Sequence, residues 1–157
     1  MNNSTSYWLK KGIHNGMPIA LGYLAVSFTL GIAAKNAGLT ALQAALASIT
    51  CHASAGEFAG FTLIAALAAY TEIAVMELII NARYFLMSCA LSQKLDNKMP
   101  FFHRLIMGLF VTDEIFGLTV SVPEKLNPAY MYGMVLVASP AWVLGTYFGV
   151  LFGNILP

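Results

Sequence analysis

Charge is what this 157-residue sequence has least of: eight Lys and Arg stand against seven Asp and Glu, 10% of the chain with a net charge of +1. A soluble domain carries about 25% charged residues, and so few charges cannot coat a globule of this size, which excludes a cytosolic enzyme. The near-zero balance also excludes a nucleic-acid binder, because that needs a concentrated basic face. Cysteine is nearly as scarce. Cys51 and Cys89 lie in apolar surroundings with no CxxC spacing and no ligand cluster, so they read as buried thiols acting as small hydrophobes. No disulfide, metal site or cofactor is expected. What the chain does have is 59% hydrophobic residues and 13 glycines, the composition that close packing of transmembrane helices requires. The fold class is an all-α integral membrane protein.

A helix needs about 20 apolar residues to cross the hydrocarbon core. The segments that answer this are 17–34, 39–56, 58–71, 73–92, 105–122 and 128–153. The chain therefore reads as one transmembrane domain over 1–157, a polytopic bundle of about five to six membrane segments, some short or broken. The first run continues past any plausible cleavage point, so it is an anchor and not a removable signal peptide. Segment 58–71 is short for a span, and 39–71 together has the alternative of being a re-entrant, broken element. Non-helical backbone at membrane depth must be buried in protein or line a wet cavity. A cytoplasmic placement of both Lys10/Lys11 and the Lys94, Lys98 and Arg104 loop satisfies the positive-inside rule and puts the N-terminus inside. The turn at Pro123-Glu124-Lys125 precedes a last segment that ends at Asn154-Ile155-Leu156-Pro157 without a polar tail. That abrupt end reads as truncation of a longer protein. Pro140 is expected to kink the last helix.

An ionisable residue at bilayer depth costs a few kcal/mol by insertion scales and is a functional candidate by default. Glu77, Asn81, Tyr84 and Ser88 follow i, i+4, i+7, i+11 and share a narrow helical stripe. The stripe is either an interhelical hydrogen-bond seam or the wall of a polar pathway. Arg83 lies about 200° around the helix from Asn81 at 100° per residue, and needs a carboxylate from another element. Asp113 and Glu114 are the suppliers, either in a structural ion pair or in a gate. Gly56-Glu57 closes the small-residue stretch Ser54-Ala55-Gly56-Glu57-Phe58. A helix starting after that break would offer free N–H groups to a substrate carboxylate, with the acid meeting an ammonium group or a proton. The bland alternative leaves Glu57 at a membrane surface. Cys51 and His52 are adjacent, so on a helix they point about 100° apart and make a poor nucleophile–base pair. Gly145, Gly149 and Gly153 form a close-packing face within the chain or toward a second copy.

Taken in order, several motifs resemble the AzlC family of bacterial branched-chain amino acid exporters. They are Gly16-Met17-Pro18, the Ala53–Phe58 break, Asn81-Ala82-Arg83-Tyr84, Thr112-Asp113-Glu114 after a basic loop, and Trp142–Thr146 running into Gly149 and Gly153-Asn154. The resemblance spans nearly the whole chain. It departs at Glu57, where the family usually has Gln, and at Tyr84, where it often has His. It implies ion-coupled efflux of hydrophobic amino acids across the bacterial cytoplasmic membrane, with a small AzlD-like partner subunit and no enzymatic activity. On that reading Ser54, Gly56 and Glu57 meet substrate. Glu77, Asn81, Tyr84, Asp113 and Glu114 form the polar path or carry protons, and Arg83 pairs or gates. Independently of the resemblance, the glycine face of Gly145, Gly149 and Gly153 allows a homo-oligomer. The competing expectations are a non-transporting assembly subunit and, more remotely, an intramembrane thiol enzyme using Cys51 and His52.

Overall fold

The computed structural model describes residues 4–123 and 125–153. These residues hold seven helices and no strand: α1 (Thr5–Asn36), α2 (Ala41–Cys51), α3 (Ser54–Ala65), α4 (Tyr70–Lys94), α5 (Phe101–Leu109), α6 (Asp113–Val120) and α7 (Pro128–Phe152). Three of them, α1, α4 and α7, are long and apolar enough to cross a membrane. At 1.5 Å per residue a 25-residue helix reaches about 37 Å against a hydrocarbon core of about 30 Å. Large side chains such as Leu78, Phe85 and Leu86 on α4 stand exposed, as a lipid-facing surface requires. The protein is an all-helical membrane protein.

The remaining helices differ from the segments legible in the sequence, for local reasons. Helix α1 begins at Thr5, ahead of 17–34, so Lys10, Lys11 and His14 are helical and not a flanking tail. Segment 39–56 breaks earlier than its composition suggests. Helix α2 starts on a capping box in which Thr40 and Gln43 exchange hydrogen bonds, and stops at His52, whose backbone is left-handed (φ 48°, ψ 35°). Ala53 is extended and helix resumes at Ser54, so Gly56 and Glu57 lie in the first turn of α3, past the break. Segment 58–71 is likewise divided, because α3 ends at Ala65, Leu67 takes φ 56°, and α4 begins at Tyr70. Segment 105–122 is two helices. Thr112 is extended and its hydroxyl accepts from the Ile115 N–H, which starts α6, and Asp113 and Glu114 fall in its first turn, where the helix dipole favours acids. Helix α7 runs through Pro140. Glu124, in the expected turn, and Asn154–Pro157, in the expected terminus, lie outside the described residues.

The chain divides into two compact units, one taking the chain through Ile19 together with Arg83–Ala138, the other Ala20–Ala82 together with the chain from Ser139. The first has a core of Met87, Leu91, Leu95, Met107, Val111, Ile115, Leu126, Tyr130, Met131 and Met134. Gly12 of α1 and Gly133 of α7 let those helices touch backbone to backbone there, since a Cβ on either would strike the other helix's main chain. In the second unit the same device recurs. A Cβ on Gly31 would meet the Thr146 carbonyl and Gly149, and one on Gly149 would meet the Phe28 carbonyl and Gly31. Gly145 faces Leu24 and Ser27, and Gly153 faces Ile32. The glycine face offered by the sequence as an oligomer surface is thus occupied by α1 of the same chain.

Candidate functional site

The second unit buries polar groups that its apolar composition does not call for: Ser27, Ser48, His52, Glu57 and Thr146. Glu57 is the centre of the largest group. It is 2% exposed, and both of its oxygens carry a protein donor. The Trp142 indole Nε1–H donates to Oε1 at 2.6 Å, and the Ser48 hydroxyl to Oε2 at 2.7 Å. Ser48 Oγ lies 2.8 Å from Thr146 Oγ1, and Thr146 is one helical turn beyond Trp142 on α7. Among the described residues no Lys or Arg is within ion-pair distance of Glu57. Burying a carboxylate without a cation beside it is costly, and the two donors on its oxygens offset part of that cost.

The break that precedes Glu57 is fastened on the same side. His52 Nε2 lies 2.7 Å from Ser139 Oγ, and its ring centroid is 6.4 Å from that of Trp142. Tyr23 packs edge-on against Trp142 at 5.0 Å. Ala53 gives α3 no side-chain cap, which leaves the first-turn amides at Ser54, Ala55 and Gly56 to find partners outside the helix. Ser54 is exposed, whereas Gly56 and Glu57 are buried.

Glu77 and Asn81 of α4 lie over the glycine face of α3. Asn81 Nδ2 donates to Glu77 Oε2 at 2.8 Å, and the Cys51 thiol lies 3.8 Å from that same oxygen. A Cβ on Gly56 would stand 2.6 Å from Glu77 Oε2, and one on Gly60 3.0 Å from Oε1, so the glycines let these polar groups approach the α3 backbone without shifting. Cys51 therefore faces Glu77 while His52 faces Ser139, and the adjacent pair does not converge on one reacting atom.

The stripe expected along α4 is shared between the units. Its lower half, Tyr84, belongs with the first unit. There Arg83 Nη1 forms an ion pair with Asp113 Oδ2 at 2.8 Å, Nη2 donates to the Tyr84 hydroxyl at 3.4 Å, and the guanidinium lies 5.1 Å from the Tyr84 ring centre. Ser88 faces Gly108 of α5. Asp113 is both the partner of Arg83 and a first-turn acid of α6, and Glu114 beside it is also a first-turn acid. Side chains of Arg83 and Asp113 are 42% and 50% exposed, and ion pairs exposed to that degree in water contribute about 0–1 kcal/mol. A double-mutant cycle with Arg83→Gln and Asp113→Asn, read by denaturant unfolding in detergent, is expected to give a coupling below about 1 kcal/mol. A coupling of several kcal/mol would make the pair a structural weld.

Sequence reasoning missed Ser48, Ser139, Trp142 and Thr146 as members of the site. The signal was present on α7, where Ser139, Trp142 and Thr146 follow i, i+3, i+7 and share a face, but the glycines beside them drew the reading toward packing.

These features define a class, the helical membrane proteins with polar groups buried at interrupted helices. Within it, the chain belongs to the AzlC family: residues 18–156 match the AzlC protein family. It is 35% identical over 153 residues to an uncharacterized membrane protein of Archaeoglobus fulgidus, covering 98% of this chain and 66% of the relative. It is 22% identical over 148 residues to the inner membrane protein YgaZ of Escherichia coli, covering 92% of this chain and 60% of that one. A Helicobacter pylori membrane protein is 26% identical over 151 residues, with coverages of 92% and 64%. The chain thus spans less than two thirds of the length of these relatives. No solved structure matches it.

Proposed function

We propose that this chain is the transport subunit of an ion-coupled exporter of branched-chain or similar hydrophobic amino acids in the bacterial cytoplasmic membrane, its N-terminus cytoplasmic and a small AzlD-like membrane subunit its partner. The observation that carries the proposal is the interruption between α2 and α3, flanked by the buried, neutrally hydrogen-bonded Glu57. Discontinuous helices at membrane depth supply amides and carbonyls for a charged substrate without exposing unsatisfied backbone to lipid. The uncapped amides of Ser54, Ala55 and Gly56 suit a carboxylate. With both oxygens of Glu57 already taken by Trp142 and Ser48, that acid serves as the coupling group and not as the substrate's direct partner. Arg83, Tyr84, Asp113 and Glu114 form a separate polar group, with Arg83 and Asp113 as the gate whose weak pairing permits opening. The divergence of Cys51 and His52 weighs against the thiol-enzyme alternative.

Efflux of labelled leucine from proteoliposomes bearing the protein and its partner subunit tests the proposal. Wild-type protein is expected to export leucine, and Glu57→Gln to lose at least about 100-fold in rate, the scale of a removed proton-transfer group. Wild-type vesicles no more permeable than empty ones would leave the assembly-subunit reading in its place.

A further inference from the structure

One buried oxygen acceptor in the second unit has nothing to accept. Asn81 Oδ1 is shut off from solvent and has no hydrogen-bond partner. Its identity as the oxygen follows from its sister atom, because the Nδ2 end donates to the Glu77 carboxylate, which the oxygen end could not do. Beside it lies the Glu77 carboxylate, whose contacts with Asn81 Nδ2 and the Cys51 thiol fall on Oε2. Asn81 Oδ1 and Glu77 Oε1 face glycines of α3 one turn apart. A Cβ on Gly56 would stand 3.2 Å from Asn81 Oδ1, and a Cβ on Gly60 would have Glu77 Oε1 as its sole neighbour within 4 Å outside its own helix backbone. Apart from that carboxylate and the adjoining α3 residues, no atom lies within 4 Å of this position, which leaves open space over Gly60.

An orphaned buried acceptor costs about 1–3 kcal/mol, and a carboxylate beside it adds negative charge with no Lys or Arg in ion-pair range among the described residues. The missing complement is a positively charged donor. We infer that Glu77 and Asn81, over the Gly56–Gly60 face of α3, form the seat for the primary ammonium group of a zwitterionic substrate. This rests on the exporter reading and deepens it, by separating the ammonium seat on α4 from the coupling acid Glu57. An ammonium presents three N–H donors, which suit two acceptors and a third from backbone or water. A bare metal cation requires six or more oxygens in hard-ion sites, far more than this seat presents.

Binding to the full-length protein in nanodiscs, by calorimetry, tests the assignment with three probes: leucine, leucinamide (ammonium without carboxylate) and the hydroxy-acid analogue of leucine (carboxylate without ammonium). Wild-type protein is expected to bind leucine and leucinamide, and to bind the hydroxy acid at least about 30-fold more weakly, as loss of a charge-assisted hydrogen bond implies. Glu77→Gln should weaken both amines by about 30-fold. Gly60→Ala is the second variant, because alanine favours the helix while its methyl closes the open space, so lost amine binding with an undiminished melting temperature separates occlusion from misfolding. Leucine binding at wild-type strength in both variants, or equal binding of the hydroxy acid, would overturn the ammonium seat while leaving the exporter reading intact. A melting temperature raised by sodium chloride and not by leucinamide, with that rise lost in Glu77→Gln, would overturn it in favour of an inorganic cation. Failure of wild-type protein to bind any of the three probes would overturn both readings.

Discussion

Gly149→Leu is expected to be the most damaging single substitution in the second unit. Its Cβ would stand against the Phe28 carbonyl and Gly31, so backbone and not a pliable side chain obstructs it. Overpacking costs about 1–3 kcal/mol, and the upper end applies where main chain is displaced. At about 2–4 °C per kcal/mol for a chain of this size, the melting temperature should fall by about 10 °C. Gly22 of the same α1 is the control. It is exposed, and a Cβ there meets nothing within 4 Å, so Gly22→Ala should be neutral or stabilising by up to about 1 kcal/mol. Thermal unfolding of the two variants in one detergent reads the difference; equal shifts would mean that the α1–α7 contact is not close.

Trp142→Phe has the second large effect, and the reason is the acid and not the ring. Phenylalanine preserves most of the packing against Tyr23 but removes the indole N–H from Glu57. Removing a donor from a buried charged group costs about 2–3 kcal/mol. The same substitution made on a Glu57→Gln background should cost markedly less, since a neutral amide tolerates one missing donor better than a carboxylate. The coupling from the full cycle is expected at about 1.5 kcal/mol or above. Strict additivity of the two substitutions would show that indole and carboxyl do not interact in the membrane-embedded protein. Leucine efflux in the single variant should fall with stability restored by cooling, because the acid has lost a fixed partner and not only a packing neighbour.

How much of this was legible beforehand depended on whether the determinant was local. Membrane class followed from composition, and the partner of Arg83 followed from helical angle plus the short supply of acids. The interruption after Cys51 was visible as a patch of small residues, but its position was not: a histidine in left-handed backbone carries no compositional mark, so the break was expected nearer Gly56. Likewise the long segment 105–122 hid a helix start, because Thr112-Asp113-Glu114 reads equally as buried charge or as a cap with first-turn acids. Trp142 was legible as a residue and illegible as a donor. Its partner lies 85 positions away, and hydropathy patterns carry no information about pairings at that separation. The same holds for Gly56 and Gly60, whose purpose is set by what α4 lays over them.

The corner at His52 has a mechanical consequence. Left-handed backbone costs an ordinary residue about 1–2 kcal/mol, and glycine would occupy it freely. The chain is rich in glycine and places none here. A glycine corner would be a free joint. A histidine corner clamped through Ser139 transmits torque: α3 cannot pivot about it without breaking that bond or dragging along the stretch of α7 that carries Trp142. Corner, indole and carboxyl are thus tied together through α7, so a tilt at the interruption bears on the partners of Glu57.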